Sequence, residues 1–278
     1  KKWVEGLEKE FKSKFITRSL TGLGIIMPLV ILIYLENLYF FYAAIIAITI
    51  LAISEWRANS QDKSFTLDVI SILIFLALFL AFSSKFLFLY TLGISMLWVF
   101  FSTCLILNKL DKFKNISFDN TLLRSLLPLG FLASSIFLVN HDSFLSVSNF
   151  YLFLIIVFNS AISDSLAYLT GSALGKTPLL KNISPNKTVE GFIGGVIGAG
   201  LFGLFLSFLL NINWIIIPLL IIGSFFSFAG DYFFSFLKRQ SGVKDTGSIL
   251  PGHGGILDRI DSHLPSMPIL VVLINYFA

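Results

Sequence analysis

The run NWIIIPLLIIGSFFSFAGDYFFSFLKRQSGVKD at residues 213–245 decides the fold, because a long apolar segment ends abruptly in a cluster of charge. A hydrocarbon layer of about 30 Å is crossed by about 20 apolar helical residues. The charged part continues through PGHGG at 251–255 to DRID at 258–261, so residues 235–261 hold four cations and three carboxylates. Charges beside lipid are costly, and such a cluster indicates a site for an ion or a charged substrate.

The composition of the whole chain is that of a membrane protein. Of its 278 residues, 56% are hydrophobic and 13% are charged, and the mean hydropathy is +0.86. Soluble domains carry about 25% charged residues, so a soluble class is excluded. The first twenty residues mix acids and bases and are not expected to be a cleaved signal peptide. The single cysteine, Cys104, cannot form an intrachain disulfide.

Apolar segments long enough, or nearly long enough, to span a bilayer recur along the chain. They cover residues 19–36, 38–55, 67–83, 85–107, 122–140, 148–172, 191–211, 213–236 and 264–278. With a cytosolic N-terminus, the cytosolic side receives 19 of the 20 Lys and Arg, all but Lys85, as the positive-inside rule requires. The sequence therefore predicts an all-α, polytopic integral membrane protein with about nine transmembrane helices and a polar cavity open to the cytosolic side.

The segments divide the chain into three predicted regions. Residues 1–18 place aromatic and leucine side chains four residues apart, which indicates an amphipathic interfacial helix. Residues 19–140 hold about five spans with few ionisable groups and are predicted to be a scaffold. Within them, Glu-Trp-Arg at 55–57 is interpreted as interfacial anchoring. Residues 141–278 hold about four spans with polar loops and are predicted to carry the chemistry.

Two carboxylates lie well away from the ends of predicted spans. In the sixth span, polar and small residues recur three and four positions apart around Asp164, so this face is predicted to avoid lipid. Asp164 precedes the cytosolic end by about 12 Å of helix, and Asp231 precedes Lys238 by about 10 Å. Carboxylates at one depth in a low-dielectric bundle repel unless a cation or a proton lies between them. A divalent metal with oxygen ligands is the simplest solution, and a structural hydrogen-bonding role for Asp164 is the alternative.

The loops and the seventh span contain further candidates. Residues 184–190 (Ser-Pro-Asn-Lys-Thr-Val-Glu) indicate the start of a helix, whose free N–H groups beside Lys187 and Thr188 suit an anionic ligand. Glycines four residues apart in the seventh span indicate close helix packing. His253 could be an acid or base, a metal ligand or a turn residue, and the sequence leaves these open. No second His or Cys stands at zinc-ligand spacing, which favours a hard cation.

The charged segment and the polar residues upstream of it resemble a known family, the phosphatidate cytidylyltransferases, also called CDP-diacylglycerol synthases. The likeness covers roughly residues 159–262, and Phe234 departs from it because an acid is expected there in many bacterial members. The pieces that carry it are Asp164-Ser165-x-Ala167-Tyr168, Ser184-Pro185-x-Lys187-Thr188-x-Glu190-Gly191, Ser235-x-x-Lys238-Arg239, Lys244-Asp245, Pro251-Gly252-His253-Gly254-Gly255 and Asp258-Arg259-x-Asp261.

The resemblance implies a nucleotidyltransferase that moves the cytidylyl group of CTP to phosphatidate, giving CDP-diacylglycerol and pyrophosphate. It implies a place in the cell (inner) membrane, with the active site on the cytosolic side and phosphatidate arriving from the cytosolic leaflet. Mg²⁺ is the implied cofactor, with room for a second cation. No nucleic-acid partner is expected, and a homodimer is compatible with the Gly-rich span.

The resemblance also assigns roles to individual residues. The residues assigned to catalysis are Asp231, Asp261, Lys244, Arg259 and Asp258. Those assigned to substrate and phosphate binding are Ser184, Lys187, Thr188, Lys238, Arg239, His253, Gly254 and Gly255. The metal ligands are drawn from Asp164, Asp231, Asp258 and Asp261. Because both reactants are anions, catalysis by this set would depend on positioning and charge neutralisation.

Two other functions stay open at this point. A CTP-dependent polyprenol or phytol kinase would use similar loops on a different lipid, although here both the Pro-Gly-His-Gly-Gly and the Asp-Arg-x-Asp pieces are complete. A cation-coupled transporter would also use intramembrane carboxylates, but it predicts ionisable groups near the bilayer midplane in both halves of the chain. Here they cluster at the predicted cytosolic end of the second half, which favours the transferase.

Overall fold

The computed structural model describes residues 24, 27–28, 30–31, 34–107, 116–141, 145, 147–180, 184–251 and 254–277. The predicted amphipathic helix at 1–18, most of the first predicted span and His253 lie outside these residues. The elements, in chain order, are α1 (Leu38–Ala58), α2 (Thr66–Ile106), α3 (Thr121–Asn140), α4 (Asn149–Leu174), β1 (Pro178–Leu180), β2 (Ser184–Thr188), α5 (Val189–Leu209), α6 (Ile216–Gln240), α7 (Leu257–Ile260) and α8 (His263–Phe277).

Within the described residues, the six helices α1 to α6 are long and apolar enough to cross a membrane, and α8 is a shorter apolar helix. The core of the bundle lies around α3, because 78% of its most apolar window is buried inside the protein. Helices α1, α2, α4 and α5 expose many large apolar side chains, which is the outer surface that a lipid environment requires. The all-α membrane class is therefore confirmed, while the count of nine spans and their orientation stay predictions.

Helix α2 is a hairpin of two helices. Its 41 residues include Ser83, whose backbone is not helical (φ 48°, ψ −127°). The rings of Phe75 and Tyr90 are 5.2 Å apart, whereas 15 residues of continuous helix would separate them by about 22 Å. The chain therefore reverses at Ser83, and residues 66–82 and 84–106 supply the third and fourth predicted segments.

Hydrogen bonds show which ends of the helices lie together. Near the start of α1 and the end of α3, the Tyr42 hydroxyl donates to the Asn140 side chain at 2.8 Å. Near the start of α2 and of α3, the buried guanidinium of Arg124 contacts Asp68 at 2.6 Å. Helices α1 and α3 are therefore antiparallel, with the α2 hairpin connecting them in the chain. Successive segments from α1 to α3 therefore run in alternating directions, as the predicted topology requires.

The glycines of α5 allow close contact with α4 and α6. A Cβ on Gly195 would lie 2.9 Å from the backbone oxygen of Ser163 in α4, and a Cβ on Gly203 would lie 2.9 Å from Cα of Ile217 in α6. Real Cβ contacts almost never come under 3.0 Å. The prediction of close, small-residue packing along this helix is confirmed.

The structure corrects the predicted helix start at 184–190. Residues Ser184–Thr188 form β2, which pairs antiparallel with β1, and the helix begins only at Val189. A residue that precedes proline is biased toward extended backbone, which favours a strand from Ser184. Thr188 then caps α5, since its hydroxyl accepts from the Gly191 N–H at 3.1 Å. In the first turn of α5, Glu190 accepts from backbone N–H groups just before β1, which fixes the hairpin against the helix.

Candidate active site

A polar cavity of about 680 Å³ lies where the ends of α4 and α6, the start of α5, strand β2 and the segment 245–261 meet. Its volume is typical of a small-molecule site. The charged residues that line it are Asp164, Lys187, Asp231, Lys238, Asp245, Asp258, Arg259 and Asp261. Its polar or small lining includes Ala167, Gly171, Ser172, Ser184, Thr188 and Gly191, and its aromatic lining includes Tyr168, Phe192 and Phe228.

Polar contacts between α4 and α6 hold the two intramembrane carboxylates in register. The Asn159 amide donates to the Leu220 carbonyl at 3.0 Å, and the hydroxyls of Ser163 and Ser224 are 2.6 Å apart. These side chains are buried, so this part of the polar face of α4 avoids lipid as predicted. One residue beyond Ser163, Asp164 lines the cavity that Asp231 also lines.

The absence of a side chain at Gly230 lets α6 approach the segment that follows α7. A Cβ at this position would lie 2.4 Å from the backbone oxygen of Asp261 and 2.5 Å from Cγ of Pro265. A larger residue would push the two segments apart. Asp231, the next residue of α6, therefore lies beside Asp261, and the structure brings both carboxylates to one cavity.

Lys187 neutralises Asp231. Its ammonium group forms an ion pair with the Asp231 carboxylate, and it lies over the rings of Phe228 and Tyr232 at 5.3 and 5.4 Å from their centroids. Such cation–π contacts strengthen when water is excluded. Strand β2 therefore positions Lys187 beside Asp231 of α6. From the sequence, only the family resemblance had assigned these two residues to the same site.

The Asp258 carboxylate joins the end of α6 to Thr246 and Gly255. One carboxylate oxygen accepts from the Lys238 ammonium at 2.8 Å, and the other accepts from the backbone N–H groups of Thr246 at 2.8 Å and Gly255 at 3.0 Å. Burial acts to raise the pKa of Asp258, but these hydrogen bonds and the charge of Lys238 lower it by more, so the pKa lies below its ordinary value. Gly254 adopts φ +82°, a left-handed conformation that favours glycine, beside the same carboxylate.

Asp261 is the most desolvated acid of the segment. Burial raises its pKa well above the ordinary value, and the charge of Asp231 raises it further. Lys238, the backbone N–H of Ser262 and Lys187 act in the opposite direction. The side chain also accepts the Ser262 N–H at 2.8 Å. A buried carboxylate whose neighbour is another carboxylate is a position where a bound cation would relieve repulsion.

The carboxylates suit a hard cation, although the described residues contain no closed ligand set. In the part of the chain that the structure describes, no group of three or more His, Cys, Asp or Glu side chains is arranged to hold a metal ion. Mg²⁺ commonly takes only one or two carboxylates and completes its shell with water and substrate phosphates. Asp231 and Asp261, with Asp164 in the same cavity, fit that pattern. Asp258 fits it less well, because both of its oxygens already accept hydrogen bonds.

Some of the predicted site residues line the cavity and others do not. Those that line the cavity are Asp164, Ser184, Lys187, Thr188, Asp231, Lys238, Asp258, Arg259 and Asp261. Of the other predicted site residues that the structure describes, Arg239, Lys244, Gly254 and Gly255 are not part of the lining. Arg239 and Lys244 are exposed. His253 lies outside the described residues, so its three interpretations stay open.

Sequence reasoning missed Asp245 as a lining residue and Glu55 as a buried contact of the charged segment. Asp245 stands within the motif and could have been found by taking every acid of it. Glu55 was interpreted as an interfacial anchor, but only 4% of the residue is exposed, and its carboxylate accepts from Ile256 and Leu257. The signal was a carboxylate in the last turn of an apolar helix. Phe234, the departure from the family pattern, is buried against Trp56 at 5.4 Å between ring centroids.

The chain belongs to the cytidylyltransferase family, because the profile of that family matches residues 16–277. It is similar to the phosphatidate cytidylyltransferase of Aquifex aeolicus (strain VF5), with 42% identity over 142 residues, or 50% of this chain and 52% of that protein. It is also similar to the phosphatidate cytidylyltransferase of Staphylococcus haemolyticus (strain JCSC1435), with 46% identity over 116 residues, or 41% and 45%. The chain spans about half the length of these curated relatives.

Proposed function

We propose that the protein transfers the cytidylyl group of CTP to phosphatidate, giving CDP-diacylglycerol and pyrophosphate. The observation that carries the proposal is one cavity at the ends of apolar helices that is lined by both cations and aspartates, Lys187, Lys238 and Arg259 among the cations. Such a cavity suits two anionic reactants, one dissolved in water and one anchored in lipid. Membership of the cytidylyltransferase family and the names of the relatives support it.

The reaction joins a phosphate oxygen of phosphatidate to the α-phosphorus of CTP. The bond between the α-phosphorus and the oxygen that bridges to the β-phosphorus breaks, and its electrons leave with pyrophosphate. No general base is required, because the attacking lipid phosphate is ionised at neutral pH. The protein must therefore bring two anions together, which is a task of positioning and charge neutralisation.

The cations of the cavity would bind the phosphates. Arg259 lines the cavity and is exposed, and its planar guanidinium suits bidentate contact with a phosphate. Lys187 and Lys238 are paired with Asp231 and Asp258 in this structure. Substrate phosphates would compete with these carboxylates for the two ammonium groups, and this competition would couple phosphate binding to release of the Asp231 carboxylate.

Asp231 and Asp261 would hold Mg²⁺, with Asp164 nearby. When bound, the cation would offset the charge of the reacting phosphates. The site residues themselves would orient the nucleotide and keep Asp231 and Asp261 at the same side of the cavity. A second cation and a homodimer stay predictions from the sequence.

The proposed place of the reaction is the cytosolic side of the inner cell membrane. The distribution of Lys and Arg supports this proposal, as does the position of the cavity at the ends of α4 and α6. CTP would enter from the cytosol and phosphatidate from the cytosolic leaflet.

Purified protein supplied with Mg²⁺, phosphatidate and CTP labelled at the α- or the γ-phosphorus tests the proposal. We expect α-label in the lipid fraction, γ-label only in pyrophosphate, and no lipid label when phosphatidate is omitted. Transfer of γ-label to an added polyprenol would instead identify a kinase. No transfer of either label to phosphatidate or polyprenol would contradict the proposed reaction.

A further inference from the structure

A carboxylate of the N-terminal half supports the charged segment of the C-terminal half. Glu55 lies in the last turn of α1, and both of its oxygens are used: Oε1 accepts from the Ile256 N–H at 2.9 Å and Oε2 accepts from the Leu257 N–H at 2.8 Å. The residue is 4% exposed. Among the described residues, its carboxylate forms no ion pair. An ionised group this buried is stabilised only if its hydrogen bonds are made.

Two glycines make room for this carboxylate. A Cβ on Gly247 would lie 2.6 Å from Oε1 of Glu55, and a Cβ on Gly255 would lie 2.3 Å from Oε2. No positive φ accompanies either glycine, so a side chain at either position would conflict with the Glu55 carboxylate and displace it, and backbone conformation is not the obstacle. Gly247 and Gly255 therefore enclose the Glu55 carboxylate from two sides, which ties the positions of these two residues to that of α1.

The contacts fix the short helix that carries the chemistry. Helix α7 has four residues and includes Asp258 and Arg259, and a single helical turn is not stable without tertiary contacts. Its first N–H groups have no partner inside the helix and need an acceptor. Glu55 supplies that acceptor, so its position sets where Asp258, Arg259 and the following Asp261 stand in the cavity.

Other contacts make the end of α1 a rigid support. The indole N–H of Trp56 donates to the Phe118 carbonyl at 2.9 Å, and its ring contacts Phe234 of α6. The Asn59 amide donates to the Thr246 carbonyl at 2.6 Å. The end of α1 thus contacts both the beginning and the end of the segment 246–257, and also the helix that carries Asp231.

We propose that Glu55 is a positioning residue for the cytidylyl transfer. It is not part of the cavity lining, but it holds α7 at the distance from α6 that lets Asp231, Arg259 and Asp261 act on one pair of phosphates. The inference deepens the proposed function and depends on it. A misplacement of about 1 Å in such a site can lower a rate by about 100-fold.

Two substitutions disturb the carboxylate in different ways. Glu55→Gln keeps the shape but replaces one accepting oxygen by an amide NH₂ that faces a backbone N–H. Gly247→Ala leaves Glu55 in place and displaces its carboxylate by the added methyl group. Glu36→Gln is the matched control, because it removes an exposed carboxylate just before the start of the same helix. Glu55→Ala combined with Gly247→Ala tests coupling, since the added methyl group has no carboxylate to displace.

We expect Glu55→Gln and Gly247→Ala each to lower kcat by about 10- to 100-fold. The KM for CTP should change by a smaller factor than kcat, because Lys187 and Lys238 lie on β2 and α6 and only Arg259 of the three cavity cations lies on α7. Glu36→Gln should match wild type, and the double variant should be within about threefold of Glu55→Ala alone. A kcat of Glu55→Gln within threefold of wild type would overturn the inference, as would full additivity in the double variant.

Hydrogen exchange of the peptide that covers residues 254–260 tests whether Glu55 holds α7, even if Glu55→Gln fails to fold. We expect the amides of Ile256 and Leu257 to be protected in wild type and to exchange faster in Gly247→Ala. Rapid exchange in wild type would refute the contact with Glu55. If wild type itself transfers no label from CTP, the proposed function fails, and exchange still reports separately on whether Glu55 holds α7.

Discussion

The Asp258→Asn substitution tests how the charged segment is held. Asp258 and Lys238 form an ion pair with an N–O distance of 2.8 Å, and their side chains are only 4% and 13% exposed. The Asp258 carboxylate also accepts two backbone N–H groups. An asparagine cannot satisfy all three donors, and it leaves the Lys238 ammonium largely buried without its counter-charge.

The expected loss of folding stability in Asp258→Asn follows from these buried contacts. Removing one partner of a buried pair costs about 3–5 kcal/mol, because the other charge is left uncompensated. At about 2–4 °C per kcal/mol for a chain of this size class, the unfolding midpoint should fall by roughly 6–20 °C. Lys238→Met in the same background removes the unpaired charge. We therefore expect the double variant to be more stable than Asp258→Asn alone, by about 1 kcal/mol or more.

Thermal unfolding of the purified protein in detergent, followed by tryptophan fluorescence, measures these changes. Wild type, both single variants, the double variant and Glu36→Gln, which loses an exposed carboxylate, should be compared at pH 7. A midpoint for Asp258→Asn within about 2 °C of wild type would refute the reasoning. So would a double variant that is less stable than Asp258→Asn.

Three further predictions concern the site, the helix packing and pH. Asp231→Asn should lower kcat by at least about 1,000-fold, or about 4 kcal/mol, while the unfolding midpoint changes little because the Lys187 and Asp231 side chains are 25% and 30% exposed. A variant with near wild-type turnover would remove Asp231 from the site. Gly195→Ala should lower the unfolding midpoint, because its Cβ would lie 2.9 Å from a backbone oxygen. The control Gly93→Ala should leave the midpoint unchanged, because its Cβ would have nothing within 4 Å, and equal midpoints for the two variants would contradict the packing. The folded pKa of Asp258 is below the ordinary value of 3.8, so its ionised form stabilises the protein above that pH. The difference in unfolding midpoint between wild type and Asp258→Asn should therefore shrink as the pH falls below 3.8. A difference that grows on acidification would contradict this sign.

Local features of the fold could be predicted from the sequence. Apolar length placed a boundary between 83 and 85, where the chain reverses at Ser83. Glycine spacing predicted close packing of α5, and the structure shows its close contact with α4, which the missing Cβ of Gly195 permits. Both signals depend on residues within a few turns of each other, and lipid supplies the apolar environment that makes the patterns strong.

The contacts of the site were harder to predict. The polar face of α4 and the motif after α6 indicated which residues meet, and the structure brings Asp164, Asp231 and Asp261 to one cavity. Glu55 was marked only as a carboxylate in the last turn of an apolar helix, and nothing indicated its partner, because Leu257 is 202 residues away and offers only a backbone N–H. Every residue except proline has that group, so no side-chain pattern marks it.

The strand at 184–188 shows a third kind of limit. The sequence at 184–190 resembled the start of a helix, because serine, proline and glutamate are favoured in the first positions of helices. The cap was instead Thr188, since the preceding residues pair with β1 in a hairpin. Pairing with another segment decided between two locally acceptable structures.

The central claim is that aspartates from separate segments of the chain meet in one cavity to hold a hard cation between two phosphates. A crystal of the protein with CTP and Mn²⁺, measured for anomalous scattering, tests it most directly. We predict a peak within about 2.0–2.3 Å of carboxylate oxygens of both Asp231 and Asp261, with phosphate oxygens completing the shell. A nucleotide bound in the cavity with the metal peak on neither aspartate would contradict the claim.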